Sequence, residues 1–198
     1  RGSFEDITVR AHLLDVLDVN YSILDPNNPR FDAAAQRISA EFHENGKGLA
    51  HGDLNNDGYV DLIGTNSSGP IWSASSGSFI PAEGPVFVWL NGGGENHWIT
   101  LRLQGRMAID GTGTNADAIG ARVYVKTAAS SDRRESLVQV QEVRAGSSYL
   151  SMDSTDLEFG LGTASVVDEI IVLWPSGRRQ VLEDVSVDQA IVVTEPER

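Results

Sequence analysis

The chain has 198 residues, 40% of them hydrophobic and 22% charged, a formal net charge of −13 and no cysteine. That length gives one large or two small domains with a real core, while the acidic excess argues against nucleic acid or anionic membrane as a partner, since both need basic patches. The lack of cysteine fits a bacterial exported protein better than a secreted animal one, which would usually carry disulfides, and no apolar run is long enough to insert into a membrane.

The N-terminal stretch mixes short apolar runs, such as Ile7-Thr8-Val9 and Val16-Leu17, with charges. It reads as a strand and then an irregular segment. Asp25-Pro26-Asn27-Asn28-Pro29 is a turn cluster. Asp32 to Phe42 then predicts a short helix, with Asp32 as cap and three alanines behind it. Asn45-Gly46-Lys47-Gly48 breaks that helix.

Next comes His51-Gly52-Asp53-Leu54-Asn55-Asn56-Asp57-Gly58-Tyr59-Val60-Asp61. Oxygen-bearing side chains at every second position, with a glycine to turn the backbone, are what a hard divalent cation asks of a short loop. Calcium takes about six to eight oxygens. Asp53, Asn55 and Asp57 would give three ligands, the Tyr59 carbonyl a fourth, and Asp61 one or two more. An EF-hand would need a bidentate Glu at the twelfth position and flanking helices. Gly64 stands at that position and the flanks are strand-like, so the loop joins two strands. Magnesium fits less well, because it keeps its waters and prefers few protein ligands. The plain alternative is a polar hairpin turn with no metal.

Residues 66–84 are rich in Gly, Ser and Pro and read as a long surface loop carrying Ile71, Trp72 and Phe79. Val86 to Leu90 is a buried-type strand, and Gly92-Gly93-Gly94 marks a boundary. We therefore expect two segments, residues 1–94 and 95–198. In the second, strand signals recur at 98–103, 119–125, 137–143, 157–161, 169–174, 180–182 and 190–193, separated by turn residues. Such a run predicts a mainly β protein with an antiparallel β-sandwich in its C-terminal half.

Two resemblances follow from these residues. The Asp53–Asp61 loop with its strand flanks resembles an FG-GAP or VCBS repeat, the blade unit of integrin-like β-propellers. Asn96-His97-Trp98-Ile99, Ala118-Ile119-Gly120-Ala121-Arg122-Val123, Glu142 to Ser151, Phe159-Gly160-Leu161-Gly162, Trp174-Pro175-Ser176-Gly177 and Asp188-Gln189 together resemble the ASPIC/UnbV domain. The resemblance implies an extracellular or cell-surface, calcium-containing module for adhesion or interaction, with no catalytic centre in the second domain.

One blade cannot bury both faces, and repeat architectures need about three or more units. The chain is thus expected either to be part of a longer protein or to cover its strand edges with other copies, as a homo-oligomer or fibre joined by β-strand edges. Other cell-surface proteins or glycans are further candidate partners. A carbohydrate- or ligand-binding β-sandwich is the alternative reading, with Trp72, His97 and Tyr149 as candidate contacts. Asn96, Asn115, Tyr149 and Ser151 could form a small polar site, but buried hydrogen bonding is the expected role. Asn20 and Asn66 head Asn-x-Ser tripeptides and are candidate glycosylation sites. The histidines His12, His43, His51 and His97 show no ligand spacing. Neither a nucleophile elbow nor a zinc helix nor a phosphate loop is present, so no enzyme is expected.

Overall fold

Alternation of apolar and polar side chains turns nearly every predicted β segment into a strand. The computed structural model describes residues 31–32, 37–38, 46–66, 69–73, 76–82, 86–129 and 135–197. In chain order the elements are β1 (Phe31–Asp32), β2 (Arg37–Ile38), β3 (Gly46–Gly52), β4 (Asp61–Asn66), β5 (Gly69–Ser73), β6 (Ser78–Ala82), β7 (Val86–Trp89) and β8 (His97–Gln104). A 3-10 turn at Arg106–Ala108 precedes β9 (Arg122–Thr127), β10 (Leu137–Glu142), β11 (Leu157–Gly162), β12 (Val166–Leu173), β13 (Arg179–Ser186) and β14 (Gln189–Thr194). No helix among the described residues is long and apolar enough to cross a membrane.

The chain divides into two units, residues 1–48 with 63–89 and residues 49–62 with 90–198. The Asp53–Asp61 loop, expected to group with the first 94 residues, therefore counts with the second unit. Two expectations for the first unit are corrected. The helix predicted from Asp32 is absent at the described positions, where β1 and β2 pair antiparallel, Phe31 opposite Ile38 and Asp32 opposite Arg37. Alanine favours a helix by only tenths of a kcal/mol per residue, too little to outweigh pairing. Residues 66–84 are not a plain loop either, because β5 and β6 form a ladder with Trp72 opposite Phe79. Ile71-Trp72 and Phe79-Ile80 are strong β formers, and Gly77 turns between them at φ +61°. The remaining strands there form a three-stranded sheet in the order β3-β4-β7.

The second unit holds the expected sandwich. One sheet runs β10-β9-β12-β13 and the other β11-β8-β14. Pairing is antiparallel except for β14, which lies parallel to β8. Inward positions at every second residue supply the core: Ile99, Leu101 and Leu103 from β8, Val123 and Val125 from β9, Phe159 from β11, Ile170 and Val172 from β12. Each such side chain contributes about 1.5–3 kcal/mol by leaving water.

On one flank the two sheets are joined by side chains. Gln139 and Gln141 of β10 point inward, and their amides donate to the carbonyls of Gly160 at 2.8 Å and Glu158 at 2.6 Å. These bonds occupy two carbonyls of edge strand β11 within the chain. Among the described residues β10, β13 and β14 each have a neighbour on one side only.

A buried carboxylate ties the turns at one end. Glu195 is 1% exposed and accepts hydrogen bonds from the Arg106 N–H at 3.0 Å, the Thr114 N–H at 2.8 Å, the Ser176 hydroxyl and the Arg178 guanidinium at 2.9 Å. Burial alone would raise its pKa, but these donors hold it down at about 2. Gly113, at φ +69°, lies so near that a Cβ there would come within 2.6 Å of the carboxylate.

Candidate metal site

The loop between β3 and β4 is organised by its own carboxylates. Asp53 accepts from the N–H groups of Asp57 at 3.1 Å and Gly58 at 2.8 Å. Asn55 Oδ1 also reaches the Asp57 N–H, at 3.3 Å. Asp57 accepts from the Tyr59 N–H at 2.9 Å and from the Asn55 amide at 2.8 Å. Asp53, Asn55 and Asp57 thus converge on the same short stretch of backbone. Asn56 and Gly58 turn the chain with φ of +59° and +88°.

Asp61 closes the loop from beneath. It is 1% exposed, with Oδ2 accepting from the Leu54 N–H at 2.9 Å and Oδ1 from the Asn91 N–H at 2.7 Å. Replacing Asp61 by alanine takes the acceptor from two part-buried N–H groups, and a hydrogen bond to a charged group contributes about 1.5–3 kcal/mol. We expect a correspondingly lower urea midpoint for the D61A variant, with D61N intermediate because one acceptor oxygen remains.

The loop is seated on the second unit by aromatic residues. A Cβ on Gly58 would lie 1.8 Å from Cε2 of Trp98, so the indole packs directly on the glycine backbone. The Tyr59 hydroxyl donates to the carbonyls of Gly94 at 2.6 Å and Asn96 at 3.1 Å. Asp188 in turn positions Trp98: its carboxylate accepts from the Trp98 N–H at 3.2 Å and pairs with His97 Nδ1 at 2.7 Å. Residues 147–154 clasp the start of the loop. Ser151 donates to the Leu49 carbonyl at 3.1 Å, Ser154 N–H to the His51 carbonyl at 3.0 Å, and the His51 N–H to Asp153 at 3.1 Å.

The donor set suits a hard cation. An ionised carboxylate has about four acceptor positions, so Asp53, Asp57 and Asp61 keep lone pairs after their amide bonds. Turning the Asn55 amide over would present its oxygen beside Asp57 in place of nitrogen. Among the described residues no three His, Asp or Glu side chains form a metal cage by themselves. Asp53, Asp57 and Asp61 thus do not form such a cage by themselves, and a cation there would have to draw them together with the Asn55 amide and the Tyr59 carbonyl.

The other predicted positions have separate roles. His97 is engaged by Asp188, and Tyr149 is 63% exposed. Asn115 brackets a turn, exchanging 2.8 Å bonds with the N–H and carbonyl of Ile119. Trp72 lies on β5 and Asn66 ends β4, but their side chains, like the whole of Asn20, His12 and His43, lie outside the described part. Sequence reasoning gave no site role to Asn91, Asp153 or Glu195, whose bonds to Asp61, His51 and Arg106 span the chain, and Asp188 entered only as part of the family resemblance.

No curated protein matches the chain. Residues 111–198, which span β9 to β14 and leave the Asp53–Asp61 loop outside, match the ASPIC and UnbV family model, so the C-terminal part of this chain is similar to an ASPIC/UnbV domain.

Proposed function

We propose that the chain is a non-catalytic, calcium-braced structural module of an exported protein, acting at the cell surface or outside the cell in adhesion and self-association. The observation that supports this most is the seating of the loop: Gly58 under Trp98 and Tyr59 on Gly94 and Asn96 make the FG-GAP/VCBS-like loop a built-in part of the second unit. Calcium would be held by Asp53, Asn55, Asp57, the Tyr59 carbonyl and Asp61. Its role there is to neutralise carboxylates that repel one another when the site is empty. An acidic surface of this size also suits a medium rich in divalent cations.

Thermal melting in calcium and in chelator tests the reading. At a free calcium concentration about a hundredfold above Kd, binding adds about 2.7 kcal/mol, which for a unit of this size raises Tm by about 5–10 °C. An unchanged Tm removes the metal from the account.

One observation favours ligand binding as a second reading. A polar cavity of about 350 Å³ lies beside the loop, lined by His51, Glu142, Arg144, Ser147, Asp153 and Asp156 among others. A glycan array separates the two readings, since a structural module retains nothing on it.

A further inference from the structure

The outer face of the four-stranded sheet carries an ordered pattern, of which the chain itself uses the Arg122–Glu142 ion pair at 3.2 Å. Cross-strand register aligns three rows over β10, β9, β12 and β13. The middle row is Val140–Tyr124–Ile171–Val181 and is wholly apolar apart from the tyrosine hydroxyl. On one side runs Glu142–Arg122–Leu173–Arg179, and on the other Val138–Lys126–Glu169–Glu183. Val138 and Val140 are 56% and 54% exposed. Single exposed valines mean nothing, but a stripe across every strand of a sheet is the kind of surface that marks an interaction site.

The charges identify the occupant. This face holds three acids and three bases in a chain of net charge −13, so two copies approaching here escape the general repulsion. Glu169 and Glu183 stand directly opposite each other, an arrangement that is unfavourable within one chain, and Lys126, opposite Glu169 on its other side, is the cation of that row. Consider two copies face to face about a two-fold axis parallel to the strands, between β9 and β12. Each row then meets itself in reverse order. Glu142 faces Arg179, Lys126 faces Glu169, Val140 faces Val181 and Tyr124 faces Ile171, each pair occurring twice. An axis perpendicular to the strands would instead set Arg122 over Lys126 twice. The first arrangement pairs opposite charges four times and apolar side chains four times and sets no like charges together, while Arg122 meets Leu173 and Val138 meets Glu183, each twice.

We propose that this face is an isologous dimer interface, in which a second copy of the chain packs sheet on sheet with the two-fold axis along the strands. This deepens the self-association proposed above, replacing edge pairing by face packing, and does not depend on calcium. The face measures roughly 19 by 20 Å from strand spacing and residue rise, giving about 760 Å² buried in total. That is the size of a weak, transient contact, so dissociation in the range of hundreds of micromolar is expected. An isologous contact closes on itself and ends at two chains.

Sedimentation of the chain from about 1 to 500 µM, with charge-reversed variants, tests the interface. Glu142→Arg and Arg179→Glu should each be monomeric, because each sets like charges against each other twice. An equimolar mixture of the two should restore a heterodimer, because both contacts become attractive again. Lys126→Glu and Glu169→Lys form a second such pair and serve if either first variant fails to fold, as judged by near-UV circular dichroism. A native chain that is monomeric throughout overturns both this interface and self-association. A native dimer that all four variants leave intact overturns the interface and leaves edge pairing as the mode of assembly.

Discussion

Replacing Glu195 by alanine is expected to cost about 3–5 kcal/mol, the usual penalty for stripping one partner from a buried ion pair. Arg178 would lose its counter-charge, and the N–H groups of Arg106 and Thr114 their acceptor. Urea denaturation at neutral pH reads the loss directly. The pH dependence adds a signature that simple cavity formation lacks. The carboxylate has its pKa depressed in the folded protein, from 4.5 to about 2, so the unfolded chain binds the proton more readily. Its contribution is full above about pH 4.5 and is lost as pH falls towards 2. Stability curves of the native chain and Glu195→Gln should therefore converge across that window. Curves that stay parallel down to pH 2 would show that the charge on Glu195 does not matter.

Gly58→Ala is the second large effect. The residue sits at φ +88°, where a side chain costs about 1–2 kcal/mol. Its new methyl would also fall 1.8 Å from the Trp98 ring, and overpacking typically adds about 1–3 kcal/mol. We expect a total loss of about 2–5 kcal/mol by denaturant titration, together with a shift in the tryptophan emission as the indole is displaced. Gly146→Ala provides the control, since that glycine has φ +92° and a methyl there would meet nothing within 4 Å. It should lose only the backbone part. Equal losses for the two variants would mean that Trp98 has room to move and does not pin the loop.

The strands of the second unit were legible because one face of each is buried and the other wet, which writes a two-residue period into the chain. Trp98 to Leu103 shows it plainly, whereas Leu137 to Glu142 keeps the period but turns Val138 and Val140 outward and Gln139 and Gln141 inward. Turn chemistry was legible too, at Gly92-Gly93-Gly94 and at Pro175-Ser176-Gly177. The helix at Asp32 was over-read from three alanines, whose preference is weak against tertiary pairing. The β5–β6 hairpin was obscured by surrounding Gly, Ser and Pro, although Ile71-Trp72 and Phe79-Ile80 carried the β signal.

For the loop, spacing alone grouped Asp53, Asn55, Asp57 and Asp61 as a candidate set. What held them was invisible in the same stretch: Asn91 lies thirty residues from Asp61, and Asp153 about a hundred from His51. Partners so far apart share no local pattern, and only the folded chain brings them together. Glu195 was hidden for a related reason. A glutamate near an acidic stretch looks solvated until four donors close around it.

The parallel placement of β14 has a kinetic consequence. Its ladder joins Gln189 to Ile99, ninety residues away, and β11 meets β8 across sixty, with Phe159 opposite Ile99. The central strand of that sheet, with Trp98, Ile99 and Leu101, acquires neither neighbour from adjacent sequence. Such long-range pairing folds slowly, because loop closure must precede any reward. In the interval this apolar segment is unprotected, so refolding yield should fall steeply with concentration, and a holdase chaperone would gain its opportunity there.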